Sequence, residues 1–82
     1  MDLSALGKGV LRKSQGWRGV LVCIDGHWAN AREEKLWRDH GEEARGCGYI
    51  IRRPDVIARP YYYPDDLRDY DILDEPPTAN TE

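Results

Sequence analysis

Gly19-Val20-Leu21-Val22-Cys23-Ile24-Asp25-Gly26 decides the fold of this chain. Val20 to Ile24 are apolar without a break, and β-branched side chains alternate through them. Such a run, bounded by Gly19 and Asp25-Gly26, reads as a strand. A strand with one wet face alternates apolar and polar residues, so an unbroken apolar one is central and covered on both faces. Asp25-Gly26 fits a two-residue type I′ hairpin turn, because Gly tolerates positive φ. A brief return strand then follows through His27 to Ala29. On the other side, Val10 to Lys13 reads as a short strand closed by Ser14-Gln15-Gly16.

Past the hairpin the period changes. Asn30 suits a helix N-cap, and Glu33 stands three residues on, at capping-box spacing. Residues 31–44 read as the central helix, with Glu33 and Glu34 early and Arg45 at the end, as the helix dipole favours. Its apolar face carries Ala29, Leu36, Trp37, His40 and Ala44, and Gly41 offers a stop near His40. Gly46-Cys47-Gly48 is a turn, Tyr49 to Arg52 a strand and Pro54-Asp55 a turn. Val56 to Tyr62 reads as an edge strand, since Pro60 cannot donate to a ladder. Pro64-Asp65-Asp66-Leu67 opens a short C-terminal helix reaching Ile72. The expected fold is α+β, a small antiparallel sheet of three to five strands with one central helix, a short C-terminal helix and a disordered acidic tail. One domain spans residues 1–74, and residues 75–82 form a flexible tail.

Composition sets the scale. Leu, Ile, Val and Phe number sixteen of 82 residues, a thin aliphatic inventory for a core. Three Trp and five Tyr make up the shortage, at roughly 150–250 Å² of buriable surface each. Trp17, Trp28, Trp37 and Tyr49 are the expected centre of the core. No apolar run reaches the roughly 20 residues of a membrane span. Met1 to Gly16 lacks the apolar stretch of a signal peptide, so the expectation is a soluble cytoplasmic protein whose two cysteines stay reduced. Charge breaks sharply at Tyr63-Pro64: residues 1–63 are net +3 and residues 64–82 are net −6.

Three constellations carry chemistry. Cys23, His27, His40 and Cys47 are a zinc-type ligand set, although their spacing lacks the close pairs of structural zinc sites; the expectation is no metal and no cofactor. His27 and His40, with Glu33 or Glu34 between them, resemble the acid–base sets of small ribonucleases, and Arg52, Arg53, Arg59 and Tyr61 to Tyr63 would then serve a phosphorane. Arg12, Lys13, Trp17, Arg18, Arg52, Arg53 and Arg59 form an Arg–aromatic set suited to single-stranded nucleic acid, with the acidic tail as an autoinhibitory competitor. Arg52 and Arg53 are neighbours on a strand, so only one can join a given patch.

The leading expectation rests on the acidic–aromatic segment: Tyr61, Tyr62, Tyr63, Asp65, Asp66, Asp69, Tyr70 and Asp71 as a partner-binding surface. On an extended strand three consecutive Tyr cannot share one face. The expected protein is a non-enzymatic binding module that covers a basic, nucleic-acid-handling site on a larger protein or nucleoprotein complex. In size and charge it resembles phage- and mobile-element-encoded inhibitors, anti-CRISPR and anti-restriction proteins among them. That resemblance assigns no residue a role.

Overall fold

The computed structural model describes residues 3–41 and 48–73. They form a small α+β domain: β1 (Gly9–Arg12), β2 (Arg18–Ile24), β3 (His27–Trp28), α1 (Ala31–Asp39), β4 (Tyr49–Arg52), β5 (Tyr61–Tyr62) and β6 (Tyr70–Ile72). The six strands make one antiparallel sheet in the order β5-β4-β2-β1-β6, with β3 also paired to β2. β4 takes one edge of β2. β1 pairs with the Arg18–Val20 end of β2 and β3 with its Cys23–Ile24 end, so these two share the other edge.

β2 is central and buried along its length from Gly19, as its unbroken apolarity requires. Asp25 and Gly26 both take positive φ, 47° and 83°, the I′ geometry that folds β3 back. Asp25 also clasps the returning chain: its amide donates to the Gly48 carbonyl and its carboxylate accepts from the Gly48 amide.

Between β2 and β4 the register slips by one residue, with Leu21 opposite Ile51 but Cys23 opposite Ile50. Val22 is the extra residue, and this bulge resets the alternation of β2. Leu21 and Ile24, three residues apart, therefore join the same cluster with Val10, Ile51 and Tyr70. Leu3, Ala5, Leu6, Trp17, Tyr49, Tyr62 and Leu67 cover that face. Val20 and Val22 point the other way, against Trp37 of α1 and Tyr61, with Trp28, Ile50 and Tyr63 around them. A sheet with both faces covered stretches the sixteen aliphatics by placing aromatics on each.

α1 begins as expected. Asn30 is extended, and its side chain accepts from the Glu33 amide at 2.9 Å. Glu33 does not complete a capping box, because its carboxylate pairs with Arg52 of β4 instead. The helix ends at Asp39. His40 caps it, and Gly41 at φ 78° supplies the left-handed residue that stops helices. Residues 42–44 of the expected helix lie outside the described residues, as does the expected tail over 75–82.

Two expectations are corrected. Val56 to Tyr62 is not one strand; only Tyr61–Tyr62 pairs, at the sheet edge, with Pro54 to Pro60 as a loop before it. The C-terminal helix over residues 66–72 is absent, and Tyr70–Ile72 is strand β6 beside β1. A two-turn helix alone in water is marginal. Pairing with the open edge of β1 satisfies the same backbone groups and buries Tyr70.

Candidate functional site

The three consecutive tyrosines alternate as a strand demands, but both faces they meet are occupied. Tyr61 is 7% exposed and packs with Val20, Val22 and Trp37, its ring edge-on to His40 at 5.5 Å. Tyr62 turns to the opposite face and lies 4.9 Å from Trp17. Tyr63 returns to the helix face, where its hydroxyl accepts from Trp37 Nε1 at 2.9 Å. Tyr70 is 8% exposed. These residues are invested in the domain's own core.

The acidic half of the segment is also largely engaged. Asp69 ties β6 to the β1–β2 turn: its carboxylate accepts from Arg12 Nε at 3.1 Å, from the Ser14 amide at 3.0 Å and from the Ser14 hydroxyl. The Ser14 hydroxyl bond chiefly, with Arg12, holds the Asp69 carboxyl below its usual range, because both favour the charged form. Asp71 faces Lys13 at 3.9 Å, and Asp66 takes Arg68 at 2.9 Å. Asp65 is exposed and forms no ion pair among the described residues.

Folding offsets part of the charge break: Asp69 and Asp71 meet Arg12 and Lys13 of the basic part. The described residues hold eleven Lys/Arg and nine Asp/Glu. Seven one-to-one pairs form: Arg12–Asp69, Lys13–Asp71, Lys35–Asp39, Arg38–Glu34, Arg52–Glu33, Arg53–Asp55 and Arg68–Asp66. Lys8, Arg18, Arg32 and Arg59 stand without an ion pair among the described residues. Most of these pairs are exposed and stabilise little. Arg52–Glu33 differs: it is bidentate at 3.0 Å on both arms and largely shielded, so it fixes α1 against β4.

The Arg–aromatic set divides by face. Arg52 shares the helix side with Glu33. Arg53 stacks on Trp17 at 4.6 Å, and Arg12 approaches the same ring at 5.8 Å. Arg12, Trp17, Arg53, Tyr62 and Tyr70 are therefore gathered into one cluster. Its guanidinium groups are already met by carboxylates: Asp69 for Arg12, and Asp55 for Arg53 at 3.0 and 2.5 Å. A phosphate would have to displace them. Lys13, Arg18 and Arg59 lie outside the stack.

The metal and acid–base sets come together less. Cys47 lies outside the described residues. Cys23 is buried between β3 and β4, and burial pushes its thiol pKa up. No group of three metal-ligating side chains forms among the described residues. His27 is in β3 and His40 caps the far end of α1. No helix among the described residues is long and apolar enough to cross a membrane.

One surface feature escapes the sequence reading. The Pro54–Pro60 loop displays Ile57, which is 89% exposed. The loop is pinned at its base: the Arg53 amide donates to the Pro60 carbonyl at 2.7 Å, and the Val56 amide to the Arg53 carbonyl at 3.2 Å. Beneath it an open groove of about 290 Å³ runs to the end of α1, lined by Leu36, His40, Arg52, Arg53, Pro54, Val56, Ile57, Pro60 and Tyr61. The two prolines bounding a short apolar stretch are the available signal, since each lacks the N–H that a continuous ladder through the segment would use. No protein-family model, curated protein or solved structure matches the chain.

Proposed function

We propose that this protein is a non-enzymatic binding module that engages a protein partner through the Pro54–Pro60 loop and the groove beside it. The observation that carries the reading is Ile57. A large aliphatic side chain stands almost wholly in water on a loop pinned at its base, next to an apolar groove. A single exposed apolar residue is ordinary on its own. Continuity with Leu36, Pro54, Val56 and Pro60 makes it a patch, and a preformed loop costs little ordering entropy on binding.

The proposed contact surface differs from the Tyr61–Asp71 segment expected from sequence. The Tyr61–Asp71 segment commits Tyr61, Tyr70 and Asp69 to intramolecular contacts, and among the described residues Ile57, beside the groove, is far more exposed than Ile72, the other large aliphatic at the surface.

The test uses the full chain and its Ile57→Asp variant as baits in lysate of the source organism, with and without nuclease. Ile57 contributes almost nothing to the core, so the variant keeps the wild-type unfolding midpoint. The expected result is a partner retained by the wild type, indifferent to nuclease and lost with Ile57→Asp. Equal capture by both baits, or capture that needs nucleic acid, refutes the reading.

A further inference from the structure

We infer that the groove takes an acidic, apolar segment of its protein partner, with aliphatic or aromatic side chains against the groove lining and carboxylates on its rim. The inference rests on the proposed binding role and names the chemistry of the occupant.

The lining supplies the apolar half. Leu36, Val56, Ile57 and Pro60 line a space sufficient for one or two large side chains. The rim supplies the charge. Arg52 and Arg53 lie within the groove, but Glu33 and Asp55 already neutralise them. Among the cations left without an ion pair in the described residues are Arg18 and Arg59. Arg59 directly precedes Pro60. Arg18 lies two residues before Val20, which pairs with Arg52. Strand alternation turns Arg18 to the same face as Val20 and its partner Arg52, which lines the groove. Arg18 and Arg59 are both exposed, one on the strand face of Arg52 and the other adjoining Pro60; Arg52 and Pro60 both line the groove, and neither Arg18 nor Arg59 forms an ion pair among the described residues. No uncompensated carboxylate among the described residues lines the groove. Arginine in that position favours bidentate capture of carboxylates.

Protein fits this groove better than nucleic acid does. Base stacking needs open aromatic faces. The tyrosine of the lining, Tyr61, is buried and meets the His40 ring, which also lines the groove, in an edge-type contact.

The experiment titrates the full chain with two synthetic peptides of identical leucine–phenylalanine core, one flanked by Glu and one by Lys, and with a single-stranded oligonucleotide. Backbone amide shifts of Leu36, His40, Val56 and Ile57 report occupancy. The Glu-flanked peptide is expected to move these amides, and added salt to weaken it. The double change Arg18→Gln with Arg59→Gln is expected to lower its affinity about two- to thirty-fold, the range for two exposed ion pairs. Equal binding of the Lys-flanked peptide overturns the inference. So does a groove unmoved by either peptide, or one moved by the oligonucleotide instead. The Ile57→Asp capture decides the binding role separately: a partner lost there while both peptides leave the groove unmoved keeps the role and discards the acidic occupant.

Discussion

Gly19→Ala tests the centre of the sheet. An added Cβ would lie 2.8 Å from Ile51 Cγ2, 2.9 Å from the Arg52 carbonyl oxygen and 3.3 Å from Trp17 Cζ3. Carbon contacts are comfortable from about 3.5 Å, so the two closest neighbours must each give way by roughly 0.6 Å. Neither is free to do so. Ile51 is fully buried, and the Arg52 carbonyl belongs to the backbone of β4 where it runs beside β2. Overpacking of this kind costs about 1–3 kcal/mol. A domain of this size has roughly 4–12 kcal/mol in total. Denaturant titration followed by tryptophan fluorescence reads the loss as a lower midpoint at unchanged slope. A second substitution separates steric conflict from a general glycine effect. Ile51→Leu removes the β-branch methyl that the new Cβ would strike, and by itself costs under about 1.5 kcal/mol. Gly19→Ala should then be milder in a chain that already carries Ile51→Leu, with a coupling of about 0.5 kcal/mol or more. The same cost in both backgrounds would show that the methyl contact is not the cause. A neutral Gly19→Ala would refute the close approach of β2 and β4 altogether.

Two further predictions concern titration and reactivity. Asp69 has a depressed pKa, so the stability it lends is present above the unfolded carboxylate pKa, near ~3.9, and is lost as pH falls through the lower folded value; Asp69→Asn should flatten that acid limb, and an unchanged limb in urea titrations across about pH 2–5 would dismiss the latch. Cys23 is buried with a raised pKa, so alkylation mapped by mass spectrometry should leave it unmodified in the folded protein and label it once urea unfolds the domain; labelling at equal rates in both states would contradict its burial.

Local signals in this chain are strong where one residue type meets one backbone need. The I′ turn at Asp25-Gly26, the cap at Asn30, the stop at Gly41 and the central burial of β2 all follow from such pairings. The misses are non-local. Pro64 and two aspartates point to a helix over residues 66–72, yet what decides them is the vacant edge of β1, which no window around Tyr70 contains. The same holds for Tyr61 to Tyr63. Their alternation is legible, but whether each face is already covered depends on α1 and on Trp17. The charge break at Tyr63-Pro64 is real in sequence and partly offset in space, because Asp69 and Asp71 find Arg12 and Lys13 from the far end of the described chain.

The pairing of β6 with β1 also has a timetable. Val10 lies opposite Ile72, so synthesis must add roughly sixty residues before these sheet neighbours can meet, which at about 5–20 residues per second takes about 3–12 s. Through that interval the nascent chain shows unpaired backbone and the apolar floor that Tyr70 later covers, a surface suited to chaperones. A truncation that removes β6 would leave the domain in this waiting state permanently. Shortened forms of the protein therefore report on folding before they report on binding.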